Sequence, residues 1–191
     1  GREDEWGRYL SLHNQVRPLN RQLSDPEWLS KYQGVPWHME EHLHSDVFIG
    51  NSALAWIHRH RVSKPVFLQI GFTGPHEVFD PLERHYELYK DREVPRPVFK
   101  DGELDEKPPQ HLAHQDYFSR ANGDAQVDLK TATEEDMIRM RRHYYAKITT
   151  VDEQLGKILD ALEHNGYLDN AIVVFTSDHG EMLGDHRLPY K

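Results

Sequence analysis

Two short polar motifs each follow an apolar run, and one of them has residue types that suit a metal ion. Ser177-Asp178-His179-Gly180-Glu181 comes directly after the apolar run of residues 171–176. A carboxylate beside an imidazole offers a hard oxygen and a borderline nitrogen, which together suit a divalent cation. Two ligands cannot hold a cation alone, however. Spacing by itself leaves open that Asp178 only caps the segment that follows it.

Three further side chains are candidates for contacts with an anionic substrate. His76 follows Gly74-Pro75 and could bind an anion or protonate a leaving group, because histidine ordinarily titrates near neutral pH. Lys191 could hold a sulfate or phosphate oxygen as a point charge. His186 could touch the substrate or only organise its own loop. The chain has 14 histidines, so any single one could equally be a surface or packing residue.

Two predicted strands lead directly into these motifs and would position them. Val66 to Phe72 is an almost continuous apolar run, and Ala171 to Thr176 is a second one rich in β-branched residues. Such runs without alternation predict strands covered on both faces in a parallel sheet. Ligands of such sheets bind beyond the carboxyl ends of the strands, where both polar motifs stand.

The segments between the strands predict helices, so the expected fold is α/β, a mostly parallel sheet sandwiched by helices. The clearest helix is Thr133 to Asn165, in which apolar residues recur at close to the helical period and Thr133 can act as the N-cap. Shorter helices are predicted from a cap at Ser45 to the break at Lys64-Pro65, and from Pro81 to Lys90. Residues 1–44 are expected to be an irregular excursion with short helices. Residues 91–130 are expected to be a long loop, more simply an exposed insertion than the border of a site.

Composition excludes several classes of function. The chain has 191 residues, 37% hydrophobic and 29% charged, which suits one globular domain. Its formal net charge of −9 argues against nucleic-acid binding. No apolar run approaches the roughly 20 residues of a membrane span. Cysteine is absent, so the chain has no disulfide and no thiol nucleophile. Nothing in the composition fixes localisation or oligomeric state.

The ordered set of motifs resembles the sulfatase family of the alkaline phosphatase-like superfamily. The most specific stretch is residues 174–186, Val-Phe-Thr-Ser-Asp-His-Gly-Glu-Met-Leu-Gly-Asp-His, followed shortly by Lys191. Residues 68–76, Leu-Gln-Ile-Gly-Phe-Thr-Gly-Pro-His, are similar to the family's other strand end. Residues 45–53 and 144–156 resemble the helices that precede these two strands, so the likeness runs in order from about residue 45 to 191.

The resemblance implies roles for the candidate residues. Asp178 and His179 would be two ligands of one divalent ion, most often calcium, with manganese or magnesium as alternatives. His76 and Lys191 would bind the ester and act in catalysis, and His186 could join them. The implied nucleophile is a formylglycine made from the Cys or Ser of a Cys/Ser-x-Pro-x-Arg motif. The implied substrate is a sulfated small molecule or carbohydrate.

The chain departs from the family pattern in what it lacks. It has no cysteine, and Ser24-Asp25-Pro26-Glu27-Trp28 has Trp where the motif needs Arg. The expected explanation is that residues 1–191 are an internal part of one catalytic domain, without its nucleophile region and its C-terminal subdomain. A phosphonate monoester or phosphodiester hydrolase of the same superfamily, and a non-catalytic anion- or sugar-binding relative, remain alternatives to sulfate ester hydrolysis.

Overall fold

A computed structural model describes residues 4–18, 34–60, 64–120 and 127–191 of the chain. Five α-helices lie in these ranges: α1 (Glu5–Leu12), α2 (Ser45–Arg59), α3 (Glu83–Tyr86), α4 (Pro109–Arg120) and α5 (Glu134–His164). Short 3-10 helices occupy Glu41–Leu43, Glu103–Glu106 and Asp185–Arg187. None of the described helices is both long enough and apolar enough to span a bilayer.

The long helix α5 is the central element and confirms the prediction for residues 133–165. Thr133 and Asp136 form a reciprocal capping box, in which each side chain accepts the other residue's backbone N–H. Three acidic residues in the first turn favour the positive end of the helix dipole. The helix ends at Asn165, and Gly166 follows with a φ of +73° that a glycine adopts without strain.

The apolar stripe that identifies α5 is buried near the two ends of the helix but not in its middle. Ile148, in the middle of that stripe, is 38% exposed. The buried side instead carries several polar residues at helical spacing: His143, Lys147, Thr150 and Gln154. Lys147 and Thr150 contact the chain segment 76–85, and Gln154 lies against Gly50 of α2. His143 stacks on Tyr86, so α5 contacts its neighbours partly through polar side chains.

Helix α2 packs on α5 through small and apolar side chains. Ala53 and Ile57 of α2 form a core cluster with Ile158 and Ala161 of α5. The cap of α2 differs by one residue from the prediction, because His44 and not Ser45 caps it. The His44 Nδ1 atom accepts the backbone N–H of Asp46 at 3.1 Å.

The parallel sheet is not confirmed. Residues 65–73 and 171–176 are extended, but within the described ranges neither segment joins a β-ladder. A single parallel bridge, Gly34 to Phe79, is the β-pairing that the described residues show. The predicted burial of both runs is also wrong here, since Phe67 is 92% and Ile172 94% exposed. A strand is covered only when neighbouring strands and helices lie against it, and in the described residues only Ile70 and Phe72 of the two runs pack against a core cluster.

The segment 91–130 is more ordered than predicted. It contains the 3-10 helix Glu103–Glu106 and the helix α4, and its Val127 and Leu129 lie in a core cluster with Met137 of α5. An exposed insertion would not bury such side chains, so that expectation is wrong. The predicted helix over 81–90 is shorter, because α3 has one turn before residues 87–91 continue as turns. In segment 1–44 the described residues contain α1 and the 3-10 helix Glu41–Leu43, while Ser24 to Trp28 lie outside the described residues.

Candidate functional site

The pair Asp178 and His179 stands at the end of the extended segment 171–176. Asp178 Oδ2 and His179 Nε2 approach to 3.3 Å, and both side chains reach solvent. The Nδ1 atom of His179 donates to the carbonyl oxygen of Gly180 at 2.8 Å, which leaves Nε2 without a proton in the neutral ring. A metal-ligating histidine commonly uses its second nitrogen in this way.

The pair fits two positions in the coordination shell of a divalent cation. Partial desolvation opposes ionisation of Asp178, but backbone hydrogen bonds and the nearby charges of His179 and Lys191 prevail, so the pKa of Asp178 lies below its ordinary value. Its carboxylate is therefore charged at neutral pH. No cluster of three or more metal-ligating side chains occurs in the ranges that the structure describes. The remaining ligands would have to come from elsewhere in the protein.

His76 lies in a turn after the first extended segment, on the wall of a cavity of about 750 Å³. Its Nδ1 donates to the carbonyl oxygen of Glu77 at 2.7 Å and is 3.2 Å from the Glu77 carboxylate. The free nitrogen is therefore Nε2, on a side chain that is 47% exposed. Trp6 and Arg17 line the same cavity.

Each of the two motifs carries a carboxylate, Glu77 next to His76 and Glu181 two residues after His179, and the two groups interact through their charges. Burial raises the pKa of Glu181, and the negative charge of Glu77 raises it further. Glu77, next to His76, is therefore near enough to Glu181 for their like charges to repel. No direct hydrogen bond or ion pair joins His76 to Asp178, His179 or Lys191 in the described part of the chain.

The loop 182–190 leads back toward Asp178, so that Lys191 lies near enough to act on its charge. Backbone hydrogen bonds from Met182 to Tyr190 (2.7 Å) and from Gly184 to Leu188 (3.1 Å) close this loop, so that its two ends lie together. Lys191 thus comes close to Glu181 and Asp178. Its positive charge acts to lower the pKa of both carboxyl groups. Lys191 itself is exposed.

Segment 94–120 holds the loop 182–190 in place. Asp185 Oδ1 accepts both the backbone N–H of Val98 at 2.7 Å and Nη2 of Arg141 at 2.5 Å. His186 donates its backbone N–H to the Val98 carbonyl at 2.8 Å, and its Nδ1 lies 2.9 Å from the Glu103 carboxylate. His186 thus organises its loop, and its substrate role remains a prediction.

Sequence reasoning missed several residues that build the site, chiefly Arg141, Asp185, Lys147 and Glu77. Arg141 is 5% exposed and Lys147 is 4% exposed. The available signal was a charged residue at helical spacing from buried positions, since Lys147 stands seven residues after Met140. That signal is weak without the structure, because most helical lysines are solvated.

Solved structures show the class of fold. The chain aligns over 99% of its length with 38% of a phosphonate monoester hydrolase from Agrobacterium radiobacter, at a TM-score of 0.71 and 23% identity. A second enzyme of that name, from Silicibacter pomeroyi, aligns with a TM-score of 0.63 and 19% identity over 92% of this chain and 39% of that one. The chain therefore shares its fold with part of these two enzymes.

Comparison of sequences identifies the family to which the chain belongs. The model of the sulfatase family matches residues 11–191, and the chain belongs to the sulfatase family. It is 31% identical to an arylsulfatase of Clostridium perfringens over 98% of this chain and 37% of that protein. It is also 33% identical to a choline-sulfatase of Rhizobium meliloti over 67% of this chain and 24% of that protein. The chain thus spans between about a quarter and two fifths of the length of these relatives.

Proposed function

We propose that the protein containing these residues hydrolyses sulfate esters, with a divalent cation held in part by Asp178 and His179. The observation that carries the proposal is the approach of Asp178 Oδ2 and His179 Nε2 to 3.3 Å in a loop that also brings Lys191 close. Residues 1–191 would form part of a single catalytic domain, with 91–130 as a long loop or insertion within it. Calcium is the proposed cation, because carboxylate oxygen is its preferred ligand. When bound, it would polarise the sulfate oxygens and stabilise negative charge on them.

The residues of this chain would bind the ester and handle one proton. The Lys191 ammonium would hold a sulfate oxygen as a point charge. His76, protonated on both nitrogens, would keep its Nδ1–H on Glu77 and give its Nε2 proton to the bridging oxygen of the ester. As the S–O bond to that oxygen breaks, the leaving group departs as a neutral alcohol and His76 becomes neutral. The attacking group would come from outside these residues, and family likeness suggests a formylglycine.

The experiment uses the full-length protein with two substrates, 4-nitrophenyl sulfate and an aryl phosphonate monoester. Removal of divalent ions should abolish sulfate release, and calcium should restore it. Asp178→Asn should lower kcat/KM by roughly 100-fold or more, since a catalytic cation contributes several kcal/mol. Asp169→Asn changes an exposed aspartate upstream of the same segment and should have no effect.

Two results would redirect the proposal. Faster turnover of the phosphonate ester than of the sulfate would make the protein a phosphonate monoester hydrolase. Binding of calcium without turnover of either ester would make it a non-catalytic relative. Full activity of Asp178→Asn after metal removal would overturn the role of the pair altogether.

A further inference from the structure

Lys147 on α5 is buried and has all three of its N–H groups occupied. Its Nζ atom donates to the carbonyl oxygen of His76 at 3.0 Å, to the carbonyl oxygen of Val78 at 2.6 Å and to Asp80 Oδ1 at 2.7 Å. A fully occupied ammonium has no lone pair and no free donor, so Lys147 cannot act on a substrate itself. Its contacts all go to the turn that carries His76.

The three hydrogen bonds of Lys147 do more than neutralise the charge of Asp80. Taking an ammonium and a carboxylate out of water costs several kcal/mol per ion, and apolar residues of similar size often replace such pairs without loss of stability. Here only one bond goes to the counter-ion, while two go to backbone carbonyls of residues 76 and 78. Lys147 therefore fixes the path of the backbone on both sides of Glu77, the residue that accepts the His76 ring proton.

The carboxylate partner is held in its charged form. Burial opposes ionisation of Asp80, but the charge of Lys147 and hydrogen bonding from His44 prevail, so the pKa of Asp80 lies below its ordinary value. His44 Nε2 also lies 3.1 Å from the Asp80 carbonyl oxygen. Since His44 Nδ1 accepts the N–H of Asp46, the ring proton is on Nε2 and is donated to that carbonyl.

The other end of the turn is anchored from the start of α2. Asp46, which is fully buried, accepts the Thr73 hydroxyl at 3.1 Å and the Gly74 N–H at 2.9 Å through Oδ1. A Cβ at Gly74 would lie 2.4 Å from Asp46 Oδ2, so the approach requires glycine. His76 is thus held between two buried anchors, Asp46 before it and Lys147 behind it.

We propose that Lys147 is a positioning residue for His76, which aims the free Nε2 of that ring at the leaving-group oxygen. This inference rests on the proposed function. If it holds, loss of Lys147 weakens proton donation by His76 more than it weakens binding of the sulfate. The loss of kcat should then be larger for an ester whose leaving group needs a proton to depart.

The test compares Lys147→Met with the wild type in the full-length protein, on two sulfate esters. For an alkyl or sugar sulfate, whose alkoxide is a poor leaving group, kcat should fall by roughly 100-fold, the usual contribution of a general acid. For 4-nitrophenyl sulfate, whose phenolate leaves without a proton, kcat should fall by less than about 5-fold, and KM for both should change little. Lys157→Met, the same change at an exposed position of α5, should behave as the wild type.

A second variant separates positioning from folding. Lys147→Met leaves the Asp80 carboxylate buried without its cation, whereas Lys147→Met with Asp80→Asn removes both charges. The double variant should regain stability but keep the selective loss with the poor leaving group. An equal loss with both esters, or recovery of both activities in the double variant, would overturn the proposal.

An activity-free measurement distinguishes failure of this inference from failure of the proposed function. In the wild type, ¹⁵N spectra of the His76 ring should show one neutral tautomer with the proton on Nδ1. In Lys147→Met they should show averaging of the two tautomers. If the wild type hydrolyses no sulfate ester, the proposed function fails, while unchanged ring signals in Lys147→Met would refute the positioning role independently.

Discussion

Replacing Arg141 by lysine should loosen the loop 182–190 while the positive charge is kept. The guanidinium of Arg141 contacts four acceptors, one of which is the Arg96 carbonyl at 3.4 Å from Nη1, and the other three are each contacted by a different nitrogen. Nε donates to the Leu183 carbonyl at 3.1 Å, Nη1 to the Pro95 carbonyl at 3.2 Å and Nη2 to Asp185 at 2.5 Å. A lysine ammonium is a single point and cannot reach all three positions.

The expected loss follows from the acceptors left without a donor. If the ammonium keeps Asp185, the carbonyl oxygens of Leu183 and Pro95 lose their partners. Each unsatisfied buried acceptor costs about 1–3 kcal/mol. The contact to Leu183 is buried and the contact to Pro95 is only partly buried, so the total is about 2–4 kcal/mol. Arg142→Lys is the matched control, because Arg142 makes a single exposed hydrogen bond to the Arg92 carbonyl and its replacement should cost less than about 0.5 kcal/mol.

Hydrogen exchange reports this loss where it occurs. The amides of Val98 and His186 donate across the contact between segment 94–120 and the loop. In Arg141→Lys both should exchange roughly 30- to 700-fold faster, at about 1.4 kcal/mol per factor of ten. Activity should fall as well, because Lys191 follows the loop directly. Exchange rates equal to those of Arg142→Lys would refute the view that the guanidinium fork holds the loop.

Three other positions give predictions about stability, all measured by urea unfolding. Gly50→Ala should destabilise the protein by about 1–2 kcal/mol, because the new Cβ would lie 2.6 Å from Gln154 Oε1. Gly156→Ala should instead stabilise it by about 0.5–1 kcal/mol, because no atom lies within 4 Å of the new Cβ and alanine favours a helix over glycine. Glu153→Gln should cost about 1–2 kcal/mol near pH 7, because Glu153 bonds Arg84, His85 and Lys157.

The pH dependence of the Glu153 effect has a defined sign. The hydrogen bonds from Arg84, chiefly, and from Lys157 and His85 hold the pKa of Glu153 below its ordinary value of 4.5. The carboxylate's contribution is therefore complete above that value and is lost as the pH falls toward the folded-state pKa. The difference in unfolding free energy between wild type and Glu153→Gln should narrow below pH 4.5, and a difference independent of pH would contradict the assignment.

Destabilisation by Gly156→Ala would contradict the prediction for that position and would show that another part of the protein covers it.

Local signals in the sequence determined the helices and the family. The cap at Thr133, the acidic first turn and the terminal Asn165-Gly166 bound α5 because capping and dipole effects act within one turn. The motifs around His76 and Asp178 are short and contiguous, so their order along the chain identified the sulfatase family. The two apolar runs were also visible, but their pairing depends on partners distant in the chain, and the described residues do not show it.

The tertiary structure decided which residues support the site. The middle of the buried face of α5 carries Lys147, Thr150 and Gln154, whereas Ile148 of the apolar stripe is exposed there. The bonds from Lys147 to residues 76–80, and from Arg141 to residues 95 and 185, join positions more than 40 residues apart. No local pattern encodes such contacts, because a buried charge is stable only when folding brings its acceptors to it.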